Sequence, residues 1–217
     1  MADELLVFLH GLGQTPQNWQ EQVEQLPADL PAAAPWLRGT RPGGQREFSV
    51  ADAVSEVSAV LLQHGAQRAY LCGHGLGALV ALHCAVHDER VAGLVLSAPQ
   101  VNPPRWAIAA QRLAVRAMSR RRLAERGIDK GAMLRMLDTL ADGEANPPLR
   151  QISTPALVLA GARDRAGLAT GRLVAAELPN ARMELMDGVG EAPSEAPARF
   201  NELLFGFVGE LRGGRPA

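Results

Sequence analysis

The sequence predicts an α/β fold, with a mostly parallel sheet of about six strands, helices on both faces and a short helical lid. Short continuous apolar runs, such as residues 5–9 and 91–96, suit strands buried on both faces. Between them lie segments with the apolar spacing of amphipathic helices. Such β-then-α alternation calls for parallel strands joined by right-handed crossovers. It is interrupted once, at about residues 101–150, where the periodicity stays helical and no strand signal appears. That stretch reads as a lid inserted into a single domain spanning 1–217.

The first strand, at residues 5–9, ends at His10-Gly11-Leu12-Gly13. Thr15 then serves as an N-cap with Pro16 in the first helical position, and Trp19, Val23 and Leu26 are spaced for one apolar face. Residues 32–36 form a weaker strand, placed at an edge by its prolines. Residues 38–47, rich in glycine and arginine, read as loop. Ser49 caps a helix to about Gln63 with Val50, Val54, Val57 and Leu61 as its buried stripe. A strand at 68–72 leads into the sharp turn Gly73-His74-Gly75-Leu76-Gly77 and an apolar helix over 78–86. After the strand at 91–96 and the lid, alternation resumes. A strand at 156–160, a helix near 168–178, a strand at 182–186 and a last helix over 196–211 complete the fold, with residues 213–217 as a frayed tail.

Composition narrows the function. Of 217 residues, 47% are hydrophobic and 21% charged, an ordinary balance for a water-exposed globular chain. Lysine plus arginine number 22 against 23 acidic residues, a net charge of −1. That argues against nucleic acid or an anionic membrane as a partner held by bulk electrostatics. One local exception holds Arg116, Arg120, Arg121, Arg122 and Arg126, which read as a solvated helix face or as a docking patch for an acidic carrier protein. Cys72 and Cys84 sit in apolar surroundings and read as buried reduced thiols. The N-terminus shows no signal peptide or membrane helix, so a cytoplasmic location is expected. No cofactor is indicated.

Four segments, each at the end of a predicted strand, carry the chemistry. They are Leu6-Val7-Phe8-Leu9-His10-Gly11-Leu12-Gly13; Gly73-His74-Gly75-Leu76-Gly77; Leu157-Val158-Leu159-Ala160-Gly161-Ala162-Arg163-Asp164; and Met186-Asp187-Gly188-Val189-Gly190-Glu191-Ala192-Pro193. In this order they resemble, over nearly the whole chain, the α/β-hydrolase superfamily of esterases, lactonases and acyl-carrier ester hydrolases. The resemblance implies that fold without its first two strands. It also implies an oxyanion loop at Gly11 and Leu12, a nucleophile elbow at 73–77, the acid of a triad at Asp164 and its histidine position at 191.

The departures bear on function. The elbow normally reads Gly-x-Ser-x-Gly, but Gly75 stands where the serine would be and Glu191 where the histidine would be. Serine hydrolysis needs an attacking oxygen, a base and an orienting carboxylate, and only Asp164 remains. Disabling such a triad costs roughly a millionfold in turnover. The backbone N–H groups of Leu12 and Leu76 do not depend on the missing side chains, so the resemblance leaves an oxyanion hole able to hold a carbonyl oxygen, an enolate or a carboxylate. The ligand-binding set is therefore Gly11, Leu12, His74 and Leu76.

The side chain of His74 is expected to point away into packing, and His10 to support the oxyanion loop. Ser97 could reach the pocket rim but has no evident base, while His64, His83 and His87 read as structural or exposed. Asp164 and Glu191 would face each other, an arrangement that disfavours double ionisation and permits proton transfer. The lid carries Trp106, Ile108, Leu113, Met118, Met133, Leu134, Met136 and Leu137, which suit either an adaptable apolar pocket or the packing face of lid helices.

Taken together, these features point to a degenerate hydrolase that binds a small acyl or carbonyl ligand without hydrolysing it. The alternatives are a lyase, isomerase or cyclase using Glu191 and Asp164, or a weak ester hydrolase in which Glu191 activates water. A further alternative is a structural homodimer formed through the lid.

Overall fold

The computed structural model describes residues 3–41, 47–119, 123, 130–141 and 146–213. Six strands form one sheet: β1 (Glu4–Leu9), β2 (Ala32–Ala33), β3 (Arg68–His74), β4 (Val91–Ser97), β5 (Ala156–Gly161) and β6 (Ala181–Met186). Their spatial order is β2-β1-β3-β4-β5-β6, and every neighbouring pair is parallel. The order reverses beside β1, the kind of switch point at which ligands collect beyond the carboxyl ends of strands.

Alternate side chains of the buried strands feed two apolar layers. From β1, Leu5, Val7 and Leu9 enter the layer with helices α2 (Val50–His64), α3 (Leu76–His87) and α6 (Arg165–Glu177). Leu6 and Phe8 enter the opposite layer with Trp19 and helix α7 (Pro197–Leu211), where Phe200, Leu204 and Val208 pack. Helix α3 is apolar on nearly every side, as befits a helix buried in the middle of the fold. Ser49 caps α2 by accepting from the Asp52 N–H at 3.1 Å, and Gly65 ends it in the left-handed region at φ 67°.

The first helix departs from its predicted form. A 3-10 helix over Pro16–Trp19 passes into a short α1 (Gln20–Val23), which does not reach Leu26. Pro27 disfavours helical backbone at the residue before it, so the helix stops early. Val23, predicted to face the core, is 43% exposed; Gln22 is buried instead, donating to the Pro193 carbonyl at 3.2 Å.

The lid contributes α4 (Arg105–Ala117) and α5 (Lys130–Ala141), which pack on each other above the strand ends. Its apolar stripe splits. Ile108, Met136 and Leu137 are buried, but Trp106 and Leu113 are exposed at 56% and 69% and turn to solvent. Arg116 is exposed on α4, whereas Arg120, Arg121, Arg122 and Arg126 lie outside the described residues. No helix among the described residues is long and apolar enough to cross a membrane.

Candidate functional site

The sharp turn between β3 and α3 is built around three glycines, two of which show why. A Cβ on Gly77 would lie 1.9 Å from the Leu9 carbonyl oxygen, so only glycine lets α3 approach the end of β1. Gly75 adopts φ 55° and ψ −111°, a backbone conformation that side chains rarely tolerate. Its N–H donates to the Ser97 carbonyl at 2.9 Å, and its own carbonyl accepts from Gln100 N–H at 3.2 Å. Backbone hydrogen bonds therefore hold the turn on both sides of a residue that has no side chain. A Cβ added at Gly75 would meet nothing closer than Gln100 Cδ at 3.8 Å, so the space above the turn is open.

A cavity of about 490 Å³ opens onto that space. Gly11, Leu12, His74, Gly75, Asp164 and Glu191 all line it, so six of the seven residues singled out from sequence meet in one place. Leu76, the seventh, is buried as the first residue of α3, directly after Gly75. Among the described residues, neither the Leu12 nor the Leu76 N–H donates to another group. The lid closes one side with Ala114, Val115, Met118, Met133 and Leu137.

His74 is not turned into packing, as the sequence suggested, but lines the cavity. Its Nε2 lies 3.5 Å from Glu191 Oε1, and its Nδ1 lies 3.1 Å from Ser97 Oγ. The adjoining Gly11 explains the orientation, because a Cβ there would meet the imidazole at 3.0 Å. Burial lowers the His74 pKa below its ordinary value, while the charges of Glu191 and Asp164 oppose that shift. Ser97 is likewise corrected: it is 1% exposed rather than at the rim, and it has an imidazole for a partner.

Glu191 is held from two directions. The Gln14 side-chain amide donates to its Oε1, and Gln14 Oε1 in turn accepts from Gly11 N–H at 2.9 Å. Glu195 fixes the backbone beneath it, accepting from the N–H groups of Gly190 at 3.0 Å and Glu191 at 3.1 Å. Asp164 caps α6, its Oδ1 accepting from Gly167 N–H at 2.9 Å. Gln14 and Gln100 carried no sequence signal. The Gln100 Oε1 is buried without a hydrogen-bond partner among the described residues, which leaves an acceptor near Gly75.

His10 supports the first loop. Nε2 accepts from Leu37 N–H at 3.3 Å, which leaves Nδ1 to donate to the Gly11 carbonyl at 3.0 Å. Burial lowers its pKa, partly offset by the Gly11 carbonyl. The described residues contain no cluster of three His, Cys, Asp or Glu side chains suited to a metal ion.

A sequence model described as "Alpha/beta hydrolase family" matches residues 6–203. A pimeloyl-[acyl-carrier protein] methyl ester esterase of Aromatoleum aromaticum is 28% identical, over 87% of this chain and 91% of its own. Among solved structures, MenH from S. aureus superposes with TM-score 0.75 at 18% identity, covering 98% of this chain and 96% of the other. The enol-lactonase from Burkholderia xenovorans superposes with TM-score 0.76 at 18% identity, covering 94% and 91%. At those identities the structural likeness speaks for the fold alone.

Proposed function

The chain belongs to the alpha/beta hydrolase family, and from that premise we propose that it binds a small acyl or carbonyl compound at its elbow without forming an acyl-enzyme. One observation carries this reading: the elbow is fully formed, with its hydrogen bonds and open space, around a residue that has no side chain. No oxygen at position 75 can attack a carbonyl, and the position of the usual base holds a carboxylate. The N–H groups of Leu12 and Leu76 receive the ligand's carbonyl oxygen, aided by the positive end of α3. The unpartnered Gln100 oxygen favours a ligand that also offers an N–H or O–H. The lid methionines and Leu137 accept its apolar portion.

An acidic carrier protein presenting the acyl group belongs to the same reading, through the arginines that include exposed Arg116. The carrier-linked ester named for the Aromatoleum relative supports that partner class. Intact-mass spectrometry during incubation with p-nitrophenyl butyrate tests the central point. An unchanged mass is the expected result, and a stable acyl adduct at any residue would overturn the proposal.

A further inference from the structure

We propose that Glu191 removes a proton from the carbon next to the ligand's carbonyl, so that the cavity catalyses enolisation. This rests on the binding reading above, and it assigns a chemical step that binding alone does not require. Glu191 lines the cavity with Leu12, Gly75 and the lid. Its Oε1 is occupied by the Gln14 amide and faces His74 Nε2 at 3.5 Å. Its Oε2 has no partner among the described residues and is the atom left to accept a proton. Gln14 ties Glu191 to the first loop through Gly11 N–H at 2.9 Å, which joins the base to the loop that carries the Leu12 N–H. Ser97 Oγ, 3.1 Å from Nδ1, fixes the ring of His74, whose Nε2 faces the same Oε1 that Gln14 holds. Gln14, His74 and Ser97 are positioning residues in this scheme.

The step balances without any co-reactant. The C–H bond breaks and its proton forms an O–H bond at Glu191 Oε2. The C–H electron pair becomes a carbon–carbon double bond, and the carbonyl π pair moves onto oxygen as an enolate. The Leu12 and Leu76 N–H groups hold that negative charge. Return of a proton from Glu191, after exchange with solvent, restores the carbonyl compound. Geometry that places a carboxylate beside oxyanion donors, with no nucleophile between, suits proton transfer rather than acyl transfer.

The experiment is proton NMR of 2-heptanone in D2O with the full chain. Loss of the signals next to the carbonyl measures exchange, and saturation transfer from protein to ketone measures binding. The wild type should exchange these protons at least tenfold faster than buffer. Glu191→Gln should fall to the buffer rate, with its circular dichroism checked against the wild type. Gln14→Leu should lower the maximal exchange rate more than it raises the half-saturating ketone concentration, because positioning is lost rather than contact. Binding by the wild type without exchange overturns the base while leaving the binding reading intact. Exchange that survives Glu191→Gln overturns Glu191 as the base. A wild type that neither binds nor exchanges the ketone contradicts both readings.

Discussion

The imidazole Nε2 of His74 lies 3.5 Å from Oε1 of Glu191, joining the end of β3 to the loop that follows β6. Ser97 closes the same chain of contacts from the end of β4, 3.1 Å from Nδ1. A serine, an imidazole and a carboxylate are thus connected in sequence, but the serine is buried at 1% exposure. The proposed consequence is a carboxylate base that is held in place, rather than a relocated serine nucleophile.

Gly75 and Gly77 should respond oppositely to a side chain. Gly77→Ala drives a Cβ to 1.9 Å from the Leu9 carbonyl oxygen, and overpacking of this kind costs about 1–3 kcal/mol or more. In Gly75→Ser the new Cβ meets nothing nearer than 3.8 Å, and the main cost is the backbone strain of φ 55°. Urea unfolding of both variants checks the contrast: the midpoint for Gly77→Ala should fall well below that for Gly75→Ser.

Stability should decline as pH drops below about 6.5. Burial lowers the pKa of both His10 and His74, so each imidazole binds its proton more readily in the unfolded chain, where the ordinary value is 6.5. As pH falls from the unfolded value toward the lowered folded ones, the unfolded state takes up more protons and gains. Thermal unfolding between pH 8 and pH 5 measures this. His10→Gln should flatten the slope, and an unchanged slope would contradict the assignment.

Phe8, Trp19 and Phe200 form an aromatic group beneath β1, with centroid separations of 5.2 and 6.0 Å. Phe200 is fully buried. Phe200→Ala should therefore cost about 3–5 kcal/mol in chemical denaturation, as other buried aromatic truncations do.

The sheet was legible because its strands are continuous apolar runs separated by helical spacing, a pattern that survives without knowledge of neighbours. The elbow was legible because Gly73 and Gly77 answer a steric demand that no other residue meets. What escaped was side-chain direction. His74 could be placed in the turn from sequence, but its rotation toward Glu191 depends on Gly11, more than sixty residues away. Gln14 escaped for the same reason, since its partner lies 177 positions on. In the first helix, local spacing put Val23 inside, yet Pro27 ended the helix early and Gln22 took the buried place. The exposure of Trp106 and Leu113 likewise follows from how α4 rests on α5, which periodicity alone does not fix.

Hydrolysis of p-nitrophenyl butyrate by the wild type, beside the Gly75→Ser/Glu191→His double variant, measures whether the site lacks a nucleophile. We expect no turnover above buffer for the wild type and measurable turnover for the double variant, whose turn at Gly75, cavity and Asp164 are already in place. Turnover by the wild type at the rate of an ordinary esterase would contradict this expectation, and would mean that a residue other than position 75 attacks the ester.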